Sequence, residues 1–126
     1  MKDFRVIICG SRNFDDYKLL QEFCDSCLSE KRKTARIIIV SGMAKGADTL
    51  AVQYANENGF QVHKVFADWE THGRSAGYKR NTEMSKVADA CIAFQINNSA
   101  GTQHMIETMR ELNKPVKVKS LNARSA

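Results

Sequence analysis

Five short apolar runs at near-regular intervals constrain the fold of this chain more than any other feature. They are "FRVIIC" (4–9), "RIIIV" (36–40), "QVHKVFA" (61–67), "ACIAF" (90–94) and "PVKV" (115–118). Between them the apolar residues return at helical spacing. Leu20, Phe23, Cys24, Cys27 and Leu28 make one stripe, and Ala47, Leu50, Ala51, Tyr54 and Ala55 a second. A third helix is expected over about 75–88, and a fourth from near Gly101 that buries Met105, Ile106, Met109 and Leu112. Strands rich in Val and Ile that alternate with helices predict a parallel sheet covered on both faces. The expected fold is α/β: a single Rossmann-like three-layer domain of about five mainly parallel strands flanked by helices. The chain has no internal repeat, low-complexity stretch or linker, so residues 1–119 are expected to form the domain and 120–126 a short flexible tail.

Composition narrows the function classes. With 126 residues and 43% hydrophobic content, the chain can bury a core and does not read as disordered. Its apolar runs are too short to cross a membrane, and the N-terminal segment reads as a strand rather than a leader. A cytoplasmic protein with no membrane partner is expected. A net charge of +5 suits an anionic ligand and permits nucleic acid. The excess is spread over "EKRKTAR" (30–36), read as a solvated connection, and "KVKSLNARSA" (117–126). There is no dense basic helix and no row of aromatics on one strand, so nucleic acid is not favoured. Cys24 and Cys27 form a C-x-x-C, but both fall on a helical apolar stripe. No second C-x-x-C or suitably spaced His pair completes a zinc site. The four cysteines are read as core residues in a reducing compartment, with no metal and no cofactor implied.

The loops are unequal. Those from helix to strand are short and plain, whereas those from strand to helix are rich in Gly, Ser, Asn, Asp and Arg. The latter read "GSRNFDD" (10–16), "SGMAKGADT" (41–49), "DWETHGRSAGYKRN" (68–81) and "QINNSAGT" (95–102). In an open parallel sheet all four emerge at the carboxyl ends of the strands, where ligands bind. In the first, Gly10 permits close backbone approach, Ser11 offers a hydroxyl and Arg12 a fork suited to phosphate or carboxylate. In the second, Ser41, Gly42 and Gly46 precede a helix whose free amides attract anions. This is not a Walker A loop, which ends in Gly-Lys-Ser or Gly-Lys-Thr. Lys45 reads as a phosphate partner or a surface residue, and Asp48 as a helix cap or an acceptor for ribose hydroxyls. In the fourth, Ser99, Gly101 and Thr102 sit where a helix begins, although a plain cap leaves Asn97 and Asn98 unexplained. The third loop adds Trp69, which suits base stacking or a core plug, and the charges of Arg74 and Arg80. His72 and His104 lack an obvious partner and do not read as catalysts.

The ordered motifs "CGSRNF", "SGMAKGADTLA", "ADWETHGRSAGYKRNTEM", "ADACIAF" and "SAGTQHMI" resemble the YspA-like branch of the SLOG superfamily, from about Val6 to Val118. The resemblance implies a Rossmann-like fold and a nucleotide or nucleotide-derived ligand, of ADP-ribose type or cyclic. It places Gly10, Ser11, Arg12, the loop Ser41–Gly46, and Gly101 and Thr102 around that ligand, and matches Arg80 and Asn81 to the Arg-Asn of the family pattern. Superfamily members include phosphoribohydrolases that cleave the N-glycosidic bond of a nucleoside monophosphate, and a DNA-processing protein. The phosphoribohydrolases place a glutamate three residues after the threonine of their phosphate loop. Here that position is Met105, and Glu107 stands five past Thr102, about 200° round the helix from it. A binding protein, acting as sensor or sequestering agent, is therefore expected ahead of an N-glycosidase. For cleavage, Asp48, Glu70 and Glu83 remain as substitute acids and no catalytic residue is assigned. A homo-oligomer stays open, because relatives pair through helices but no helix here has an apolar face wide enough to require it.

Overall fold

The structure is a computed structural model that describes residues 1–122. In chain order the elements are β1 (Lys2–Gly10), α1 (Tyr17–Leu28), α2 (Lys31–Thr34), β2 (Ala35–Ser41), α3 (Ala47–Asn58) and β3 (Gln61–Lys64). They continue with α4 (Trp69–His72), a 3-10 turn (Gly73–Ser75), α5 (Ala76–Val87), β4 (Ala90–Ile96), α6 (Ala100–Glu111) and β5 (Val116–Leu121). The strands form one sheet in the order β3-β2-β1-β4-β5, and every neighbouring pair is parallel. The three-layer Rossmann-like expectation therefore holds.

Strand alternation decides which helix covers which face. Val6 and Ile8 of β1 point into a core made with Leu20, Cys24 and Leu28 of α1 and Ala51, Tyr54 and Ala55 of α3. Ile7 and Cys9 point the other way, into a core with Met84 of α5 and Met105, Ile106 and Met109 of α6. Both faces of β1 are thus sealed, which explains why its sequence is a continuous apolar run.

Several expected boundaries move. β3 ends at Lys64 rather than 67, because its partner β2 ends at Ser41 and offers only one further bond, from Val65 N–H to Ser41 O at 2.9 Å. Phe66 then leaves the sheet and is 66% exposed. Leu112, expected in the core, caps α6 and is 45% exposed. "EKRKTAR" holds the short helix α2, whose charges also cover rings. Lys31 Nζ lies 4.7 Å from the Phe4 ring centroid and the Arg32 guanidinium 4.9 Å from that of Phe60. The tail expected from residue 120 begins as strand, since Ser120 and Leu121 close β5, and residues 123–126 lie outside the described residues.

Candidate functional site

Strand order reverses at β1. The chain builds outward from β1 to β2 and β3, then returns to lay β4 against the other side of β1. The loops leaving β1 and β4 diverge there, and that divergence opens a crevice at the carboxyl edge. A cavity of about 430 Å³ occupies it. All four strand-to-helix loops contribute to its wall, through Arg12 and Asn13, Ala44 and Asp48, Trp69 and Arg74, and Ser99 and Gly101. Cys9, Met84 and Met105 form its apolar base.

One end of the cavity is the start of α6. Ser99 occupies the cap position, yet its side chain does not cap the helix. Its Oγ instead lies 2.6 Å from Ser11 Oγ, which also accepts the Ile96 N–H at 2.8 Å. Ser11, buried to 4% exposure, thereby ties the β1 and β4 loops together, and Ser11 N–H adds a bond to Phe94 O at 3.0 Å. The first amides of α6 are left without a side-chain cap, where the helix dipole favours an anion. Asp16 caps α1 and Asp68 caps α4, whereas α2, α3 and α5, like α6, have no side-chain cap. Asn97 and Asn98, which a cap alone did not explain, adopt φ of 50° and 55°. Asparagine tolerates this left-handed turn better than most residues.

The loop from 41 to 49 behaves differently. Ser41, Gly42, Lys45 and Gly46 do not contribute to the cavity wall. Gly46, at φ 83°, lies against the backbone carbonyls of Ser11 and Arg12, where a Cβ would collide with both. At Gly42 a Cβ would meet Arg80 Nε and Asp48 Oδ2, each at 2.9 Å. Gly10 has a similar constraint, with Phe94 O and Ala47 Cβ in the way. At each of these three glycines the missing side chain lets neighbouring segments approach closely. Gly101 is the opposite case: nothing lies within 4 Å of a Cβ there. Ser41 Oγ donates to Asp48 O at 3.1 Å and accepts the Met43 N–H at 3.1 Å, while Lys45 is exposed.

Asp48 reaches the wall from the first turn of α3, where Gly46 already holds the cap position. Its Oδ2 accepts the Ala44 N–H at 3.2 Å, and the residue is only 5% exposed. Burial pushes its carboxyl up to about 6, against the opposing pull of that N–H and of Arg80 and Arg12. Arg80 donates from Nη1 to Gly42 O at 3.2 Å, but its buried Nε has no hydrogen-bond partner among the described residues. Among the described residues Arg12, Arg74 and Arg80 also make no salt bridge. Asn81 is buried and donates from Nδ2 to Gly101 O at 3.2 Å, fixing α5 to the start of α6. The same nitrogen lies 3.3 Å from His104 Nδ1, and the His104 and Tyr78 ring centroids are 4.4 Å apart. His104 therefore has the partners its sequence context hid.

Of the residues expected at a site, Gly10, Ser11, Arg12, Asp48, Trp69, Arg80, Asn81, Ser99, Gly101 and Thr102 come together around this one cavity. Tyr78 and Asn13 join them unforeseen. A signal for Tyr78 existed, because Arg74, Gly77, Tyr78, Asn81 and Met84 recur at helical intervals and all line the wall. Among the acids weighed for cleavage, only Asp48 lines the cavity. Glu70 and Glu83 are exposed elsewhere, and Glu107 is exposed with its Oε1 accepting from Gln103 at 3.0 Å. Among the described residues no group of three or more His, Cys, Asp or Glu is placed to hold a metal.

A doubly wound parallel sheet with a polar crevice at its switch point defines the Rossmann-like class of ligand-binding domains. Within that class, the chain belongs to the YspA, cpYpsA-related SLOG family, whose model matches residues 4–72. It is 37% identical over 118 residues to the gene 61 protein of Mycobacterium phage D29, covering 89% of this chain and 93% of that protein. Among solved structures, DNA processing protein A (DprA) from Streptococcus pneumoniae superposes with a TM-score of 0.71 at 18% identity. The match covers 93% of this chain and half of DprA. The X-ray structure of TM1055 superposes with a TM-score of 0.62 at 22% identity, over 92% of this chain and 72% of that one. At such identities the two structures speak for the fold. Family membership supports a nucleotide-related function in general terms.

Proposed function

We propose that the protein binds a phosphorylated nucleotide or nucleotide-derived ligand, of ADP-ribose type or cyclic, at the carboxyl edge of its sheet. It acts as a sensor or a sequestering protein. The observation that carries this reading is the start of α6, whose cap side chain is drawn away to Ser11. That end of the helix opens on a cavity that also holds three guanidiniums without salt bridges among the described residues, one of them with an unpartnered Nε. Guanidinium groups gathered at one cavity favour an anionic ligand. The four free cysteines suit a reducing, cytoplasmic setting.

The test incubates the protein with AMP, ADP-ribose and cyclic ADP-ribose, then analyses the free fraction and the heat-released bound fraction by chromatography. A ligand depleted from solution and recovered intact is the expected result. In calorimetric titrations, Arg12→Ala or Arg80→Ala should each weaken binding by about 1.5 to 3 kcal/mol, a charge-assisted hydrogen bond's worth. Unchanged affinity in both would place the ligand elsewhere.

N-glycoside cleavage is the second reading, favoured by one observation. The acid that lines the cavity is Asp48, and burial has raised its carboxyl to about 6, within the range useful for proton transfer near neutral pH. Free base accumulating with time, and lost in Asp48→Asn, would establish it.

A further inference from the structure

Two half-exposed aromatic side chains line the cavity beside its cationic groups. Trp69 is 50% exposed and Tyr78 46% exposed, and both belong to the wall. The other large exposed apolar residues, Met1, Phe66, Val87 and Leu112, do not. Half-exposed rings at a cavity mouth leave apolar faces in water that a planar ligand can cover.

Each ring is held in place. Trp69 is the first residue of α4, whose start is fixed by Asp68 Oδ1 accepting the Thr71 N–H at 3.1 Å. Tyr78 is backed by His104 at 4.4 Å between ring centroids, and His104 is itself tied to Asn81. Gly77 also lines the wall, and a Cβ there would stand 3.6 Å from Trp69 Cη2 and 3.9 Å from Arg80 Nη2. A side chain at 77 would fill space beside the indole that glycine leaves open.

We infer that this mouth is a base subsite, in which a heteroaromatic base lies against Trp69 and Tyr78 while the ligand's phosphate lies at the start of α6. The inference rests on the nucleotide reading above and deepens it. It gives the cavity two kinds of surface: a cationic one from Arg12, Arg80 and the α6 amides, and an aromatic one from Trp69 and Tyr78. The cavity volume of about 430 Å³ lies in the range of small-molecule sites.

The chain has one tryptophan, so its emission reports on Trp69 alone. Fluorescence titration with AMP and with ribose 5-phosphate, paired with calorimetry, separates the two contributions. AMP should quench the emission and bind roughly 5- to 150-fold more tightly than ribose 5-phosphate, the range expected for stacking one base. Trp69→Ala should collapse that preference toward one, and Trp69→Phe, which keeps a ring, should restore much of it. Tyr78→Ala should reduce it in turn, so the inference does not depend on one variant folding. Equal binding of AMP and ribose 5-phosphate, with unchanged emission, would overturn the base subsite while leaving the phosphate end intact. If neither binds, and ADP-ribose and cyclic ADP-ribose fail to bind as well, the nucleotide reading itself falls. A Trp69-dependent dimer in sedimentation, with no response to AMP, would make the mouth a protein interface instead.

Discussion

Asp48 shows how one residue can be legible in kind and illegible in role. The sequence placed it at a helix start, where a carboxylate caps the helix or meets a ligand. The structure gives the cap position to Gly46 and turns the Asp48 carboxylate back to the Ala44 N–H, inside the cavity wall. The choice depended on the φ of 83° at Gly46 and on burial, and neither can be read from residue order. Burial disfavours the charged form and has lifted the carboxyl to about 6. Between roughly pH 4 and 6 the folded state therefore holds a proton that the unfolded chain has released. Stability should fall as pH rises through that window and stay lowered above it, by about 3 kcal/mol at most. Asp48→Asn keeps an acceptor for Ala44 and removes the charge. Its melting temperature should exceed that of the parent at pH 8, and the two should converge near pH 4. A constant difference across that range would mean that Asp48 is already well compensated as an anion. A group that weakens the fold at neutral pH, and sits in a cavity wall, fits a role toward a ligand.

At the scale of elements, periodicity carried most of the architecture. The five apolar runs became the five strands, and four helical stripes became α1, α3, α5 and α6. What it missed was short. Helices α2 and α4 have four residues each, less than two turns, so no stripe can emerge from them. The glycine-rich loop after β2 is ambiguous for a related reason. Glycine marks close approach of backbone to something, and a sequence does not say whether that is a phosphate or another loop. Here Gly46 meets the carbonyls of Ser11 and Arg12, so it fixes where α3 begins relative to the loop after β1. Gly46→Ala should lower stability by about 1 to 3 kcal/mol in denaturant titration, from left-handed strain plus displaced loops. Gly101→Ala serves as the control, because open space and a helical setting should leave stability within about 0.5 kcal/mol of the parent. A harmless Gly46→Ala would show that the two loops are not packed as described, and the cavity wall would need redrawing.

The whole molecule divides into two apolar layers on either side of one sheet, and the cysteines sample both. Cys24 lies between α1 and the sheet, with Cys27 partly buried beside it. Cys9 and Cys91 lie on the opposite face with their sulfurs 3.8 Å apart, and Cys9 also forms part of the cavity base. Burial pushes the Cys24 thiol up, and the Cys91 contact together with burial pushes Cys9 up. Thiolate, the reactive form, is thereby scarce at each. Because β1, β2 and β4 send core residues into both layers, the layers should open together. Iodoacetamide labelling followed by mass spectrometry tests this. Cys27 should label from the native state, slowly, while Cys9, Cys24 and Cys91 should label at one common rate that tracks global unfolding. If Cys9 and Cys91 react well before Cys24, then the α5 and α6 layer opens by itself. The cavity would then have a moving wall, and added nucleotide should slow the labelling of Cys9 without changing that of Cys24. If all three react in step, the cavity is as rigid as the sheet beneath it, and ligand should protect them equally.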